Sequence, residues 1–156
     1  MMLPEFFSES GSGMGSLLGI SMDTTRGQVF RACIESLSFK TRYSNELLER
    51  AGKFKADSII CVGGGSKNKL WNRIRADVTG IPVKLIGQKE TTVLGAALFA
   101  FSGIGEFSDP YEARNIVRYN EQVIEPSPDS KIYQSYYDKY KIMLSGLNET
   151  YRKLSK

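Results

Sequence analysis

Ser58-Ile59-Ile60-Cys61-Val62 is a short β-rich apolar run that empties directly into Gly63-Gly64-Gly65-Ser66. The run is continuous rather than alternating, which predicts a strand covered on both faces. Three glycines in succession leave no Cβ to hold a bulky group away, and they give the backbone access to positive φ. Helical spacing resumes from Leu70 to Val78 and is closed by Gly80 and Pro82. A strand, a glycine turn and a helix in that order belong to a layered α/β architecture.

The flanking segments continue the alternation. Ser16 to Ile20 reads as a short strand, and Asp23-Thr24-Thr25 as the start of a helix. Phe30, Cys33, Ile34, Leu37, Thr41, Ser44, Leu47, Leu48 and Ala51 then share one face of a long amphipathic helix, with Gly52 placed as its C-terminal glycine cap. Val83 to Ile86 is a second short strand. Thr91 or Thr92 caps a helix whose Val93–Phe101 run is apolar all round, which predicts burial. Asp109-Pro110 and Ser127-Pro128 each carry the signature of a helix start. The last helix places Tyr133, Tyr136, Tyr137, Tyr140, Leu144, Leu147 and Tyr151 on one stripe, read as packing. Residues 1–18, rich in Ser and Gly, read as a linker or cut edge, and 19–156 as one domain. A 17.4 kDa chain is expected to fold to roughly 7,900 Å² of accessible surface, enough burial for one core.

Several classes of function are excluded by composition. The sequence has no histidine, so a Ser-His triad, a His metal site and His acid–base chemistry are absent. Cys33 and Cys61 lie far apart with no CxxC, and read as small buried residues of a reduced, cytoplasmic protein. The net charge is +4, but six basic and two acidic residues between Lys131 and Lys156 carry all of it. That is a solvated helix face rather than a nucleic-acid footprint. No apolar stretch approaches the ~20 residues that a bilayer requires, and the N-terminus lacks the pattern of a secretory signal.

On spacing alone, Gly63-Gly64-Gly65-Ser66-Lys67-Asn68 is either a phosphate cradle at a helix N-terminus or a plain tight turn. It matches neither the P-loop nor the dinucleotide fingerprint. The amide of Asn68 can both donate to and accept from a purine edge. Asp23-Thr24-Thr25-Arg26-Gly27 reads as a helix cap with a surface Arg, and Trp71 as a core plug. Gly95-Ala96-Ala97 reads as a site of close helix packing. Asp77 and Glu90 are isolated carboxylates, so no acid–base pair and no metal cluster emerges.

The linear order is more specific than any single motif. Thr24-Thr25-Arg26-Gly27, Val62 to Asn68, Leu70-Trp71-Asn72, Arg75-Ala76-Asp77, Gly80-Ile81-Pro82-Val83 and Glu90 to Ala97 together resemble the C-terminal domain of the FGGY carbohydrate kinases. The resemblance runs from about Gly19 to Phe107 and more loosely beyond. Gly103-Ile104-Gly105-Glu106-Phe107 is most similar to the fuculokinase branch, with the rhamnulokinases and xylulokinases as neighbours. It implies a ribonuclease-H-like, actin-type ATPase fold, a mixed sheet flanked by helices, in which two domains close over sugar and ATP.

By position, the resemblance makes Gly63, Gly64, Gly65, Ser66 and Asn68 the nucleotide-binding residues. Gly64 and Gly65 would approach phosphates and ribose, with Ser66 and Asn68 near the adenine. ATP with Mg²⁺ is the implied cofactor, and a ketose such as L-fuculose the implied acceptor, held by the N-terminal domain. The family's first phosphate loop and catalytic Asp lie upstream of the matched segment, so no catalytic residue is assigned here and the chain alone is expected to be inactive. The competing expectation is a non-enzymatic association module or an inert remnant, with self-association through apolar surface. A hydrolase or transferase using Asp23 and Arg26 is remote, because no nucleophile elbow is present.

Overall fold

The structure is a computed structural model that describes residues 1–4, 15–86, 91–107, 109, 112 and 121–154. Strand β1 (Met2–Leu3) pairs antiparallel with β2 (Ser16–Leu17), and a second sheet has the order β3 (Ile59–Cys61), β4 (Val83–Ile86), β5 (Glu121–Ile124). β3 and β4 run parallel with Ile59 opposite Val83, while β4 and β5 are antiparallel with Val83 opposite Ile124. The helices are α1 (Arg26–Gly52), α2 (Lys69–Thr79), α3 (Thr91–Gly103) and α4 (Ser130–Leu154). The α/β expectation therefore holds: the sheet is mixed and carries helices.

Local chemistry explains the helix ends. Thr25 caps α1 through a capping box, its Oγ1 accepting from Gln28 N while Gln28 Oε1 accepts from Thr25 N at 2.8 Å. Arg26 stays exposed, as a cap with a surface arginine requires. At the other end the left-handed residue is Lys53 (φ 53°) and not Gly52. A Cβ at Gly52 would come within 2.7 Å of the half-exposed Phe54 ring, which would have to turn aside. Gly80 closes α2 at φ 72°, its N–H donating to Ala76 O, as the sequence predicts. Ser127-Pro128 opens the turn that leads into α4, with Asp129 N donating to Ser127 Oγ. The expected Asp109-Pro110 helix falls mostly outside the described residues.

The main core joins α1, α2, α4 and β1. Phe39 of α1 meets Tyr133, Tyr137 and Tyr140 of α4 with ring centroids 5.5–6.1 Å apart. Ile34, Ile74, Val78 and Leu3 fill the space around them. The tyrosine stripe is packing, except for Tyr136, which is exposed. Leu3 carried no periodic signal, yet it is completely buried.

Three expectations of burial fail. Of the expected α1 face, Ile34 is buried but Phe30, Leu37, Leu47 and Leu48 are exposed, and Ser36, Ser38 and Phe39 are buried instead. In β3, Cys61 is buried but Ile60 is 58% exposed, so the strand is covered on one face only. No residue of α3 is buried, and Phe99 is 70% exposed. The physical reason is common to all three: an apolar face is buried only if another layer lies against it, and among the described residues no layer does. Gly95 has nothing within 4 Å of a Cβ built on it, so the expected close packing is not made among the described residues either. Accessible surface is 10740 Å², well above the roughly 7,900 Å² of a compact chain this size.

Candidate functional site

The glycine loop begins where β3 ends. Gly63 has φ 76° and ψ −166°, a region open only to glycine, and it turns the chain into a single 3₁₀ turn over Gly64–Lys67. Ser66 N and Ser66 Oγ both donate to Gly63 O, at 3.2 and 2.7 Å, and close that turn. The amides of Gly64 and Gly65 stand at its start and so take no acceptor within it. Asn68 then caps α2, its Oδ1 accepting from Trp71 N at 3.0 Å.

The three glycines are glycine for three different reasons. Gly63 needs its positive φ. Gly65 lies against Trp71, whose ring would be 3.0 Å from a Cβ. Gly64 needs neither: among the described residues nothing lies within 4 Å of a Cβ built on it, and its φ is not positive. The fold alone therefore has no use for glycine at position 64, and the backbone there is open to a bulky group from outside.

Two side chains that sequence reasoning missed hold the loop from below. Asn72 is completely buried and donates from Nδ2 to Ser66 O at 2.7 Å. Arg75, also buried, donates from Nη1 to Asn72 Oδ1 at 3.2 Å and to Cys61 Sγ at 2.7 Å. Its guanidinium lies 4.6 Å from the centroid of the Trp71 ring. The i, i+3 spacing of Asn72 and Arg75 on one helix was the available signal. Trp71 packs against the core cluster, as a plug does, and also walls the loop.

The remaining candidates separate cleanly. Asp77 has a partner: its Oδ1 accepts from Ser127 N at 2.6 Å. Glu90 lies outside the described residues. Cys33 and Cys61 are free thiols. Among the described residues no group of three or more Cys, Asp or Glu gathers as a metal cage, and no helix is long and apolar enough to cross a membrane.

The model of the FGGY family of carbohydrate kinases, C-terminal domain, matches residues 11–104, more than half of the chain. This chain belongs to that family. It is 42% identical over 116 residues to the L-fuculokinase of Escherichia coli K12, and 37% identical over 115 residues to that of Haemophilus influenzae. Each match takes in 74% of this chain but only 25% and 24% of those relatives, so the chain spans about a quarter of their length. Among solved structures it is similar to the ligand-bound xylulose kinase of Lactobacillus acidophilus, with TM-score 0.81 and 20% identity over 99% of this chain and 32% of the other. The xylulose kinase of Rhodospirillum rubrum gives TM-score 0.69 and 26% identity over 88% of this chain and 28% of the other. The fold is thus that of the actin-like ATPases, as the sequence resemblance implied.

Proposed function

We propose that this chain is the nucleotide-binding C-terminal part of an ATP-dependent sugar kinase that phosphorylates a ketose such as L-fuculose. The observation that carries the reading is Gly64, the one glycine of the loop that neither backbone nor packing requires. Gly63 belongs to the nucleotide-binding loop, and Gly64 and Gly65 approach the phosphates and ribose of ATP, with the starting amides of the turn as donors. Ser66 lies near the adenine, but its hydroxyl is committed to Gly63 O and shapes the loop. Asn68 Oδ1 is engaged by Trp71 N, so its Nδ2 is the group left to donate to the purine. Mg²⁺ accompanies ATP and offsets charge on the transferring phosphoryl group. The proton-transfer group and the sugar contacts come from the part of a kinase that this chain does not span, so the chain alone binds ATP weakly and transfers nothing. A cytoplasmic location, with no nucleic-acid or membrane partner, belongs to the same reading.

Trp71 is the only tryptophan and touches the loop, so its fluorescence reports the site. Titration with ATP and Mg²⁺ should quench it saturably. A folded chain that shows no response up to millimolar ATP would overturn the reading. The exposed apolar surface of α3 favours a second one, an association module without nucleotide, and that result would leave it standing.

A further inference from the structure

Arg75 is a buried guanidinium with no carboxylate against it among the described residues; its partners are Cys61 Sγ, Asn72 Oδ1 and the Trp71 ring. A buried cation without a counter-charge is costly, and an apolar side chain would fill the same space more cheaply. Its position is therefore informative. It touches both groups that support the glycine loop: Asn72, which donates to Ser66 O, and Trp71, which lies under Gly65.

We propose that Arg75 and Asn72 are positioning residues for the nucleotide loop, with Arg75 fixing which way the Asn72 amide points. A guanidinium has donors only, so Asn72 must turn its Oδ1 toward Arg75 and its Nδ2 toward the loop. That leaves Nδ2 aimed at Ser66 O, and the 3₁₀ turn is held from beneath while Gly64 stays uncovered above. Neither residue touches nucleotide; they act through the loop's shape. The inference rests on the nucleotide reading for its functional consequence but not for its geometry.

The proposal separates three substitutions that a space-filling role would treat alike. Arg75→Lys keeps a donor-only cation and so keeps the amide orientation. Arg75→Gln is shorter and uncharged, so Asn72 Oδ1 loses its anchor and the amide can swing away from Ser66 O, although that carbonyl still asks for a donor. Asn72→Asp keeps an acceptor for Arg75 and gains an ion pair, but has no donor for Ser66 O. ATP·Mg affinity by calorimetry should stay near wild type in Arg75→Lys and weaken about tenfold in Arg75→Gln and Asn72→Asp, the size of one lost buried hydrogen bond. Amide spectra of ¹⁵N-labelled protein without nucleotide should show Gly65 and Ser66 displaced in the last two only. Circular dichroism checks folding, and if Arg75→Gln does not fold, Asn72→Asp decides. Unchanged affinity in a folded Asn72→Asp chain, or an unmoved Ser66 amide, would overturn the proposal. A wild-type chain that binds no ATP would sink the nucleotide reading instead, and the Ser66 amide would still decide whether these residues position the loop.

Discussion

The Trp71 indole lies so close under Gly65 that a Cβ built there would stand 3.0 Å from its Cζ3 atom, while the same Cβ on Gly64 would touch none of the described residues. Neighbouring glycines thus answer to different demands. Gly65→Val should strain the loop against an anchored ring and cost about 1–3 kcal/mol of stability. Gly64→Val should leave the melting temperature nearly unchanged and abolish ATP·Mg binding. Equal nucleotide affinity in a folded Gly64→Val chain would remove the loop from the site.

Asp77 ties the start of the last helix to α2, since its buried carboxylate accepts from Ser127 N at 2.6 Å. Asp77→Ala orphans that amide and should destabilise by about 1–3 kcal/mol. Asp77→Asn keeps a carbonyl acceptor and should lose less. Urea unfolding of the two variants is the check, and equal losses would mean that the carbonyl alone does not carry the tie.

The Tyr137 hydroxyl donates to Glu46 Oε2 at 2.9 Å. Burial first, and then that carboxylate, push its pKa well above the ordinary 10.0, although Arg42 opposes the shift. Burial raises Tyr133 in the same direction. A proton held more tightly in the folded state stabilises fully below the unfolded value and is lost as pH rises through the folded one. Melting temperature should therefore fall from about pH 10 upward, and Tyr137→Phe should flatten that fall while costing about 1 kcal/mol at neutral pH. An alkaline limb identical in wild type and Tyr137→Phe would assign the effect elsewhere.

Val93 and Phe99 are 64% and 70% exposed on a helix that is apolar all round. Such a surface should drive concentration-dependent association of the isolated chain. Sedimentation velocity from micromolar to millimolar protein should show the mass rising, and Val93→Ser with Phe99→Ser should suppress the rise. A wild-type monomer across that range would exclude self-association through α3.

Much of this molecule was legible in its residue order because the signals are local. The helix start at Asp23-Thr24-Thr25, the closing Gly80, and the strand–glycine–helix sequence around Gly63 each depend on neighbours within a turn or two. The tyrosine stripe of α4 likewise depends only on helical period. The candidate loop and the family were reachable from the same short-range pattern.

What only the tertiary structure decided is which apolar faces find a partner. The face of α1 with Leu37 and Leu48, the outer side of Ile60 and the whole of α3 carry sequences that ask for burial and do not receive it here, because burial is a property of two surfaces and a periodicity describes one. The same reasoning explains Leu3, Asp77, Asn72 and Arg75. Leu3 and Asp77 meet partners on other elements, Asn72 reaches back to the loop and Arg75 to β3, and only the i, i+3 pair of Asn72 with Arg75 left a local sign. The sequence by itself determined most of the elements, the caps at Thr25 and Gly80 and the glycine loop, but not β1, β5 or the left-handed Lys53 that ends α1. Tertiary structure decided that Gly64 alone of the three glycines has neither a positive φ nor a described neighbour where a Cβ would stand, and that a buried asparagine, itself bonded by a buried arginine, holds the turn.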